Sequence, residues 1–208
     1  MEQNKANIYD NILNAFCGEG WSRKPFYQGE NVYATDGKKA IKMDKKLPLR
    51  QYEVLKEKDV EHVFSFMEER REKIVNLKAL EESIDVPLVD DYVLCYTCEG
   101  SGYRRCNLGE DHACDECDGT GKKGLRNGRK TKDKECIVNM FDRNIKYELL
   151  ENLFETGKKI NVEEAKIIFG PNEGSPTLFQ MGEIEVLLMS AFVDEDDKII
   201  KCQYDKNK

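Results

Sequence analysis

Two octets carry the densest chemistry in the chain: Cys-Tyr-Thr-Cys-Glu-Gly-Ser-Gly at 95–102 and Cys-Asp-Glu-Cys-Asp-Gly-Thr-Gly at 114–121. Each reads C-x-x-C-x-G-x-G. Two residues between cysteines let both thiolates of one tight turn reach the same ion. The glycines at 100, 102, 119 and 121 permit positive φ and let amides approach the sulfurs. Fifteen residues separate Cys98 from Cys114, so the full pattern is C-x2-C-x15-C-x2-C, the spacing of a structural zinc site. Four thiolates with no open position point to one closed, tetrahedral, structural Zn2+ held by Cys95, Cys98, Cys114 and Cys117. Iron–sulfur ligation is the competing chemistry, and symmetric paired knuckles favour zinc. Cys106 and His112 lie between the knuckles as alternative ligands, but their positions break the repeat.

The chain has 208 residues and eight cysteines. Cys17, Cys136 and Cys202 read as small buried hydrophobes. A redox role for Cys95 and Cys98 is weak, because a metal-bound thiolate is a poor free nucleophile unless the ion leaves. The opening MEQNKANIYD has no basic region followed by an apolar one, so no secretory signal and no disulfides are expected. The longest apolar run, 186–193, is too short to span a membrane. These features predict a soluble, cytoplasmic protein.

Lys and Arg number 33 against 40 Asp and Glu, a net charge of −7. That balance argues against nonspecific DNA binding over the whole surface. The charge is uneven, however. Residues 122–134 hold seven basic residues and one acidic one, while 194–197 reads Asp-Glu-Asp-Asp. Such a basic run could neutralise phosphates, although charge runs more often are solvated hairpin tips. The candidate contact residues for nucleic acid or a partner are Lys122, Lys123, Arg126, Arg129, Lys130 and Lys132, with Tyr103, Arg104 and Arg105 beside the first knuckle. Trp21 reads as a packing residue. No nucleotide-binding glycine loop, Ser-His-Asp set or metalloprotease pattern is present, and the chain has two histidines. An enzyme is not expected, nor is a small-molecule substrate.

The elements that must position the octets follow from periodicity. Ile8, Ile12, Ala15 and Phe16 predict a helix at 7–17, capped by Asn7 and stopped by Gly18. Asp36-Gly37 between apolar runs predicts a hairpin. Val60, Val63, Phe64 and Met67 predict a helix over 59–71, with a possible extension to Leu80. Strands at 88–96 and 135–141 are expected to flank the cysteine-rich segment as neighbours. Ile145, Leu149, Leu150, Leu153 and Phe154 predict a second amphipathic helix ended by Gly157, followed by a three-strand meander.

The octets resemble the cysteine-rich zinc repeats of J-protein (DnaJ-type) cochaperones. Those domains carry four repeats and two zinc ions; two repeats imply one. The J-domain His-Pro-Asp tripeptide is absent, so stimulation of a chaperone ATPase is not implied, while polypeptide binding carries over. The flanking segments resemble bacterial DNA polymerase sliding clamps. NVYATDGKKAIKM at 31–43 is similar to their Ala-Thr-Asp-Gly strand, NIKYELLENLFE at 144–155 to their second core helix, and IEVLLMSAF at 184–192 to their last strand. A clamp subunit has three such domains and this chain has room for one. Ser190 and Ala191 replace the usual terminal Pro-Met, which puts the family's partner groove in doubt. The resemblance implies an α+β fold, two helices packed on a curved antiparallel sheet, with a small inserted zinc-binding β-hairpin module. The clamp-like domain would span 1–92 and 136–208, and the module 93–135. The expected function is a non-enzymatic accessory factor in DNA metabolism that contacts DNA or a replication or repair protein. The alternative is a protein–protein adaptor that grips polypeptide without touching DNA. No membrane partner is expected.

Overall fold

A computed structural model of the chain describes residues 2–55, 60–65, 71–105, 110–194 and 197–204, without the side chains of 2–3, 21 and 125–129. The expectations for Cys106 as a ligand, for Met67 on a helix face and for Trp21 packing fall outside that description. The elements in chain order are α1 (Glu2–Asn14), β1 (Phe26–Gln28), β2 (Asn31–Thr35), β3 (Lys39–Asp44), β4 (Glu53–Val54), α2 (Glu61–Ser65), β5 (Glu72–Asn76), α3 (Leu77–Glu82), β6 (Leu88–Leu94), β7 (Tyr103–Arg105), β8 (Asp111–Ala113), β9 (Lys122–Lys132), β10 (Ile137–Met140), β11 (Arg143–Lys146), α4 (Tyr147–Ile160), β12 (Glu164–Phe169), β13 (Thr177–Met181), β14 (Ile184–Leu188) and β15 (Ile199–Lys201). The fold is mostly sheet and broadly α+β, with four α-helices among the described residues rather than two. None of these helices is long and apolar enough to cross a membrane. The chain divides into two compact units, 1–85 with 134–208, and 86–133.

The larger unit is built on one sheet of order β4-β1-β2-β3-β14-β13-β12-β5. Its neighbours are antiparallel except β1 and β4. The β2–β3 hairpin forms at Asp36-Gly37 as its residues demand. Gly37 sits at φ +87, and Asp36 Oδ1 accepts the N–H groups of Lys38 and Lys39 at 2.9 Å each. One face of the sheet packs Tyr33, Ala40, Ile168, Leu178 and Leu187 against Val60 and Phe64 of the α2 segment. Residues that alternate with them, among them Ala34, Ile41, Val186 and Leu188, are buried as well. A strand buried on both faces loses simple apolar–polar alternation. A small second sheet, β11-β10-β15, completes the unit.

α4 follows its apolar stripe, burying Leu149, Leu150, Leu153 and Phe154. It also contacts α1 and α3. Gly157 does not end α4. It lies inside the helix, where an added Cβ would sit 2.7 Å from Leu77 Cδ1, so it serves close packing. Asn161 ends the helix instead, in the left-handed region at φ +55. α1 begins earlier than the cap at Asn7 predicts. The helix expected over 59–71 is found at Glu61–Ser65; its extension to Leu80 is replaced by strand β5 and the separate helix α3, started by Asn76, whose side chain accepts the Ala79 N–H at 2.9 Å. Edge pairing of β5 with β12 overrides the helical pattern there.

The strand expected at 88–96 forms as β6, but its partner is β9 and not the 135–141 strand. β10 pairs with β11 and β15 instead. The smaller unit therefore begins at Val86 and closes at Asp133, whose N–H donates to Pro87 O at 2.9 Å.

Leu150, fully buried on α4, is the test of this core. Leu150→Ala is expected to destabilise the larger unit by about 2–5 kcal/mol, read as a lower urea midpoint at unchanged slope.

Candidate metal centre

Cys95 and Cys114 each open a tight turn, and the two turns face one another with reciprocal backbone bonds. Cys95 N–H donates to Gly121 O at 2.9 Å, and Cys114 N–H donates to Gly102 O at 2.8 Å. Within the turns, Gly100 N–H reaches Cys95 O and Gly119 N–H reaches Cys114 O, both at 3.1 Å. Ser101 and Thr120 hydroxyls donate to the carbonyls of Cys98 and Cys117 at 2.7 and 2.6 Å. The pseudo-symmetry of the sequence is thus a pseudo-symmetry of bonds.

The second glycine of each octet is required by space as well as by conformation. Gly102 lies at φ +78, and a Cβ there would be 2.3 Å from Gly119 O; Gly121 lies at φ +71, with a Cβ 2.2 Å from Gly100 O. Such approaches are possible only without a side chain. The same two residues donate their N–H groups to sulfur: Gly102 to Cys98 Sγ at 3.3 Å and Gly121 to Cys117 Sγ at 3.2 Å. Backbone dipoles aimed at sulfur favour the thiolate.

All four cysteines are buried, and their sulfurs lie within 4.8 Å of one another. A tetrahedral ion with bonds of about 2.3 Å to sulfur sets its ligands roughly 3.8 Å apart. The Cys95–Cys114 and Cys98–Cys117 sulfur pairs stand at 3.9 and 3.7 Å. Four buried soft donors at these distances could hold a single metal ion. Burial pushes the Cys114 thiol up to about 11. At Cys98 burial acts the same way, but the Gly102 N–H, Cys117 and the Gly100 N–H outweigh it and bring the thiol down to about 7. An ion must displace the remaining protons, so loading strengthens as pH rises. His112 stands on β8 with its side chain 61% exposed, 3.9 Å from the Glu110 carboxylate, and outside the cluster.

The predicted contact residues of the smaller unit stand on two ribbons. Tyr103, Arg104 and Arg105 form β7, all exposed, opposite Ala113, His112 and Asp111 of β8. The basic run is a strand and not a hairpin tip: β9 holds Lys122, Lys123, Arg126, Arg129, Lys130 and Lys132, and pairs with β6 through register shifts around Tyr92. The side chains of Arg126 and Arg129 lie outside the described set. Lys122 Nζ stands 4.6 Å from the Tyr92 ring centroid, and Lys123 Nζ 4.7 Å from that of Tyr96, while Lys123 also pairs with Glu116. Lys134 is in the larger unit, bound to Glu151 at 2.6 Å.

Sequence reasoning missed the apolar exposure beside these cations. Leu88, Val89, Tyr92, Val93, Leu94 and Tyr96 are all exposed. The sequence shows a strand at 88–96 but not that β6 pairs with β9 in a two-stranded ribbon, which leaves its faces uncovered. Of the remaining cysteines, Cys136 is buried as expected, while Cys17 and Cys202 are half-buried.

No family model matches the chain, and no curated protein matches it. Among solved structures it is similar to the DNA polymerase III beta chain of Streptococcus pneumoniae, at 9% identity and TM-score 0.43, over 94% of this chain and 65% of that one. It is similar to the beta subunit from Pseudomonas aeruginosa at 10% and 0.44, over 90% and 65%. For the sliding clamp from Caulobacter crescentus the values are 11% and 0.41, over 91% and 64%. The chain therefore spans about 65% of the length of the first of these structures.

Elemental analysis of the purified protein is expected to give one metal equivalent per chain, and none for Cys114→Ser/Cys117→Ser. Under limiting metal, occupancy should fall as the medium is acidified. Chelation should raise amide exchange across 86–133 while leaving α4 protected.

Proposed function

We propose that the chain is a non-enzymatic binding protein whose smaller unit is a zinc-stapled contact arm for nucleic acid. One observation carries this reading: a basic strand lies beside exposed tyrosines on a narrow ribbon fixed by the four-cysteine cluster. Lysines neutralise phosphates and release counterions, and tyrosine faces accept bases. Tyr103, 58% exposed on β7, adds a third ring to this unit. The four-thiolate donor set and its tetrahedral spacing suit one structural Zn2+. The similarity of 31–43, 144–155 and 184–192 to clamp segments motivates an accessory role in DNA metabolism. The reading is one of binding: four thiolates that face one another leave no open coordination position for a reaction.

A second reading has its own observation. Leu88 and Leu94, 60% and 62% exposed, lie on β6, which among the described residues is hydrogen-bonded along one edge only. Such a strand can take up an extended polypeptide by edge pairing, as an adaptor would.

Fluorescence anisotropy with labelled single-stranded and duplex DNA, titrated with NaCl, tests the first reading. Lys122→Ser/Lys123→Ser/Lys130→Ser/Lys132→Ser is expected to weaken binding at least tenfold. It should also flatten the log–log salt slope by about 3 for single strands. Unchanged affinity removes the nucleic-acid claim. A partner captured after nuclease treatment, and lost in Cys114→Ser/Cys117→Ser, would favour the adaptor.

A further inference from the structure

Among the described residues, the larger unit has two equally buried cations, and only one has a carboxylate partner. Lys39 and Arg143 are each 7% exposed. Lys39 has the Asp36 carboxylate at 3.7 Å and the Phe16 ring at 5.4 Å. Arg143 has no carboxylate within ion-pair distance among the described residues. One Nη donates to Gly170 O at 2.8 Å, and the Phe169 ring lies 5.8 Å from the guanidinium. Its Nε is buried and donates to nothing among the described residues. A guanidinium carries five N–H donors and a permanent charge. A buried charge without a partner costs several kcal/mol, roughly, and native proteins pair such groups.

The missing partner has a place to sit. Arg143 lines a cavity of about 440 Å3 together with Arg71, Asp142, Gly170 and Asn172. Arg71 approaches the same Phe169 ring at 4.8 Å, so two guanidinium groups converge on one aromatic side chain. Arg71 is itself largely exposed, with the Asp142 carboxylate at 4.0 Å. An adjoining hollow of about 350 Å3 shares Arg71 and Phe169 and adds Lys73, whose Nζ lies 3.9 Å from the Phe141 ring centroid. The hairpin that presents Arg143 turns through Phe141 and Asp142, both at positive φ, 51 and 65. Edge-on contacts of Phe141 with Phe169 and Tyr204 hold that unfavourable turn.

We infer that this cavity is an oxyanion site for the phosphate or carboxylate group of a ligand. Arg143 binds the oxyanion from the buried side through its guanidinium, and Arg71 faces it from the exposed side. The fork geometry of guanidinium suits either group. Asp142 and Glu173 at the rim limit the charge that is accepted and favour a single oxyanion over a polyphosphate. The inference rests on the larger unit alone and stands independently of the arm's function.

The test follows the orphaned atom. The full chain with 15N-labelled arginine is titrated with inorganic phosphate, and separately with acetate, at ionic strength held constant with chloride. The Arg143 Nε–H resonance, identified by its loss in Arg143→Lys, is expected to shift saturably. Saturation by phosphate alone makes the ligand group a phosphate; saturation by acetate alone makes it a carboxylate. Arg71→Gln, an exposed change that should leave the thermal melt unaltered, is expected to weaken saturation at least fivefold. A linear, non-saturating response to both anions, or identical curves in Arg71→Gln, overturns the site and leaves Arg143 a cation held by Phe169 and Gly170 alone.

Discussion

The antiparallel pairing of β3 with β14 is the constraint on which the larger unit depends. It joins Lys39–Asp44 to Ile184–Leu188 and so turns two distant hairpin systems into one sheet. Without it, β1-β2-β3 and β14-β13-β12 would each present unpaired edges and half a core. Because closure entropy grows only with the logarithm of loop length, about 0.6 kcal/mol per doubling, the chain between these strands is free to make long excursions. The segment 86–133 is such an excursion, closed at its base by β6 and β9.

That excursion gathers four cysteines where a larger domain would gather an apolar core. Its buried cluster, among the described residues, is Cys95, Cys98, Cys114 and Cys117. Two-stranded ribbons are marginal in water, so an ion bound by the four thiolates would supply the cohesion that apolar burial does not. The consequence is visible on the outside. Side chains that a larger unit would cover, Leu88, Leu94 and Tyr96, remain exposed. On the reading proposed above, stability and contact surface are thereby separated: the thiolates hold the ribbon, and its surface is left for binding.

What was legible in the sequence was local. Asp36-Gly37 specified its turn through a side chain that binds the next two amides. The apolar stripe of α4 and the cysteine spacing were equally explicit, because each is written within a few turns of chain. What was illegible was pairing at a distance. Nothing in residues 72–76 announces a strand until β12 lies beside it. The basic run looked like a solvated tip because charge says nothing of the register that sets it against β6. Gly157 looked like a helix stop because its real constraint, the approach of Leu77, is tertiary. Arg143 was passed over for the same reason: its burial is created by the Phe141–Asp142 turn and by Phe169, which are contacts and not pattern.

The lysine–tyrosine arrangement on the arm also bears on which partner class fits. Exposed cation–π contacts are worth only about 0.5–1 kcal/mol. Lys122 therefore gives up Tyr92 at little cost, freeing a cation and a ring together, whereas Lys123 leaves Tyr96 while still paired with Glu116. A phosphate-bearing strand uses both, the cation through counterion release and the ring through stacking. An apolar polypeptide uses the ring and the neighbouring Leu94 but leaves the cation displaced into water. The two modes differ in how much affinity survives high salt. The electrostatic part vanishes with screening, while burial of apolar area persists. A partner held through β9 should thus be lost steeply with salt, and one held through β6 should not, even though the two strands are hydrogen-bonded to each other.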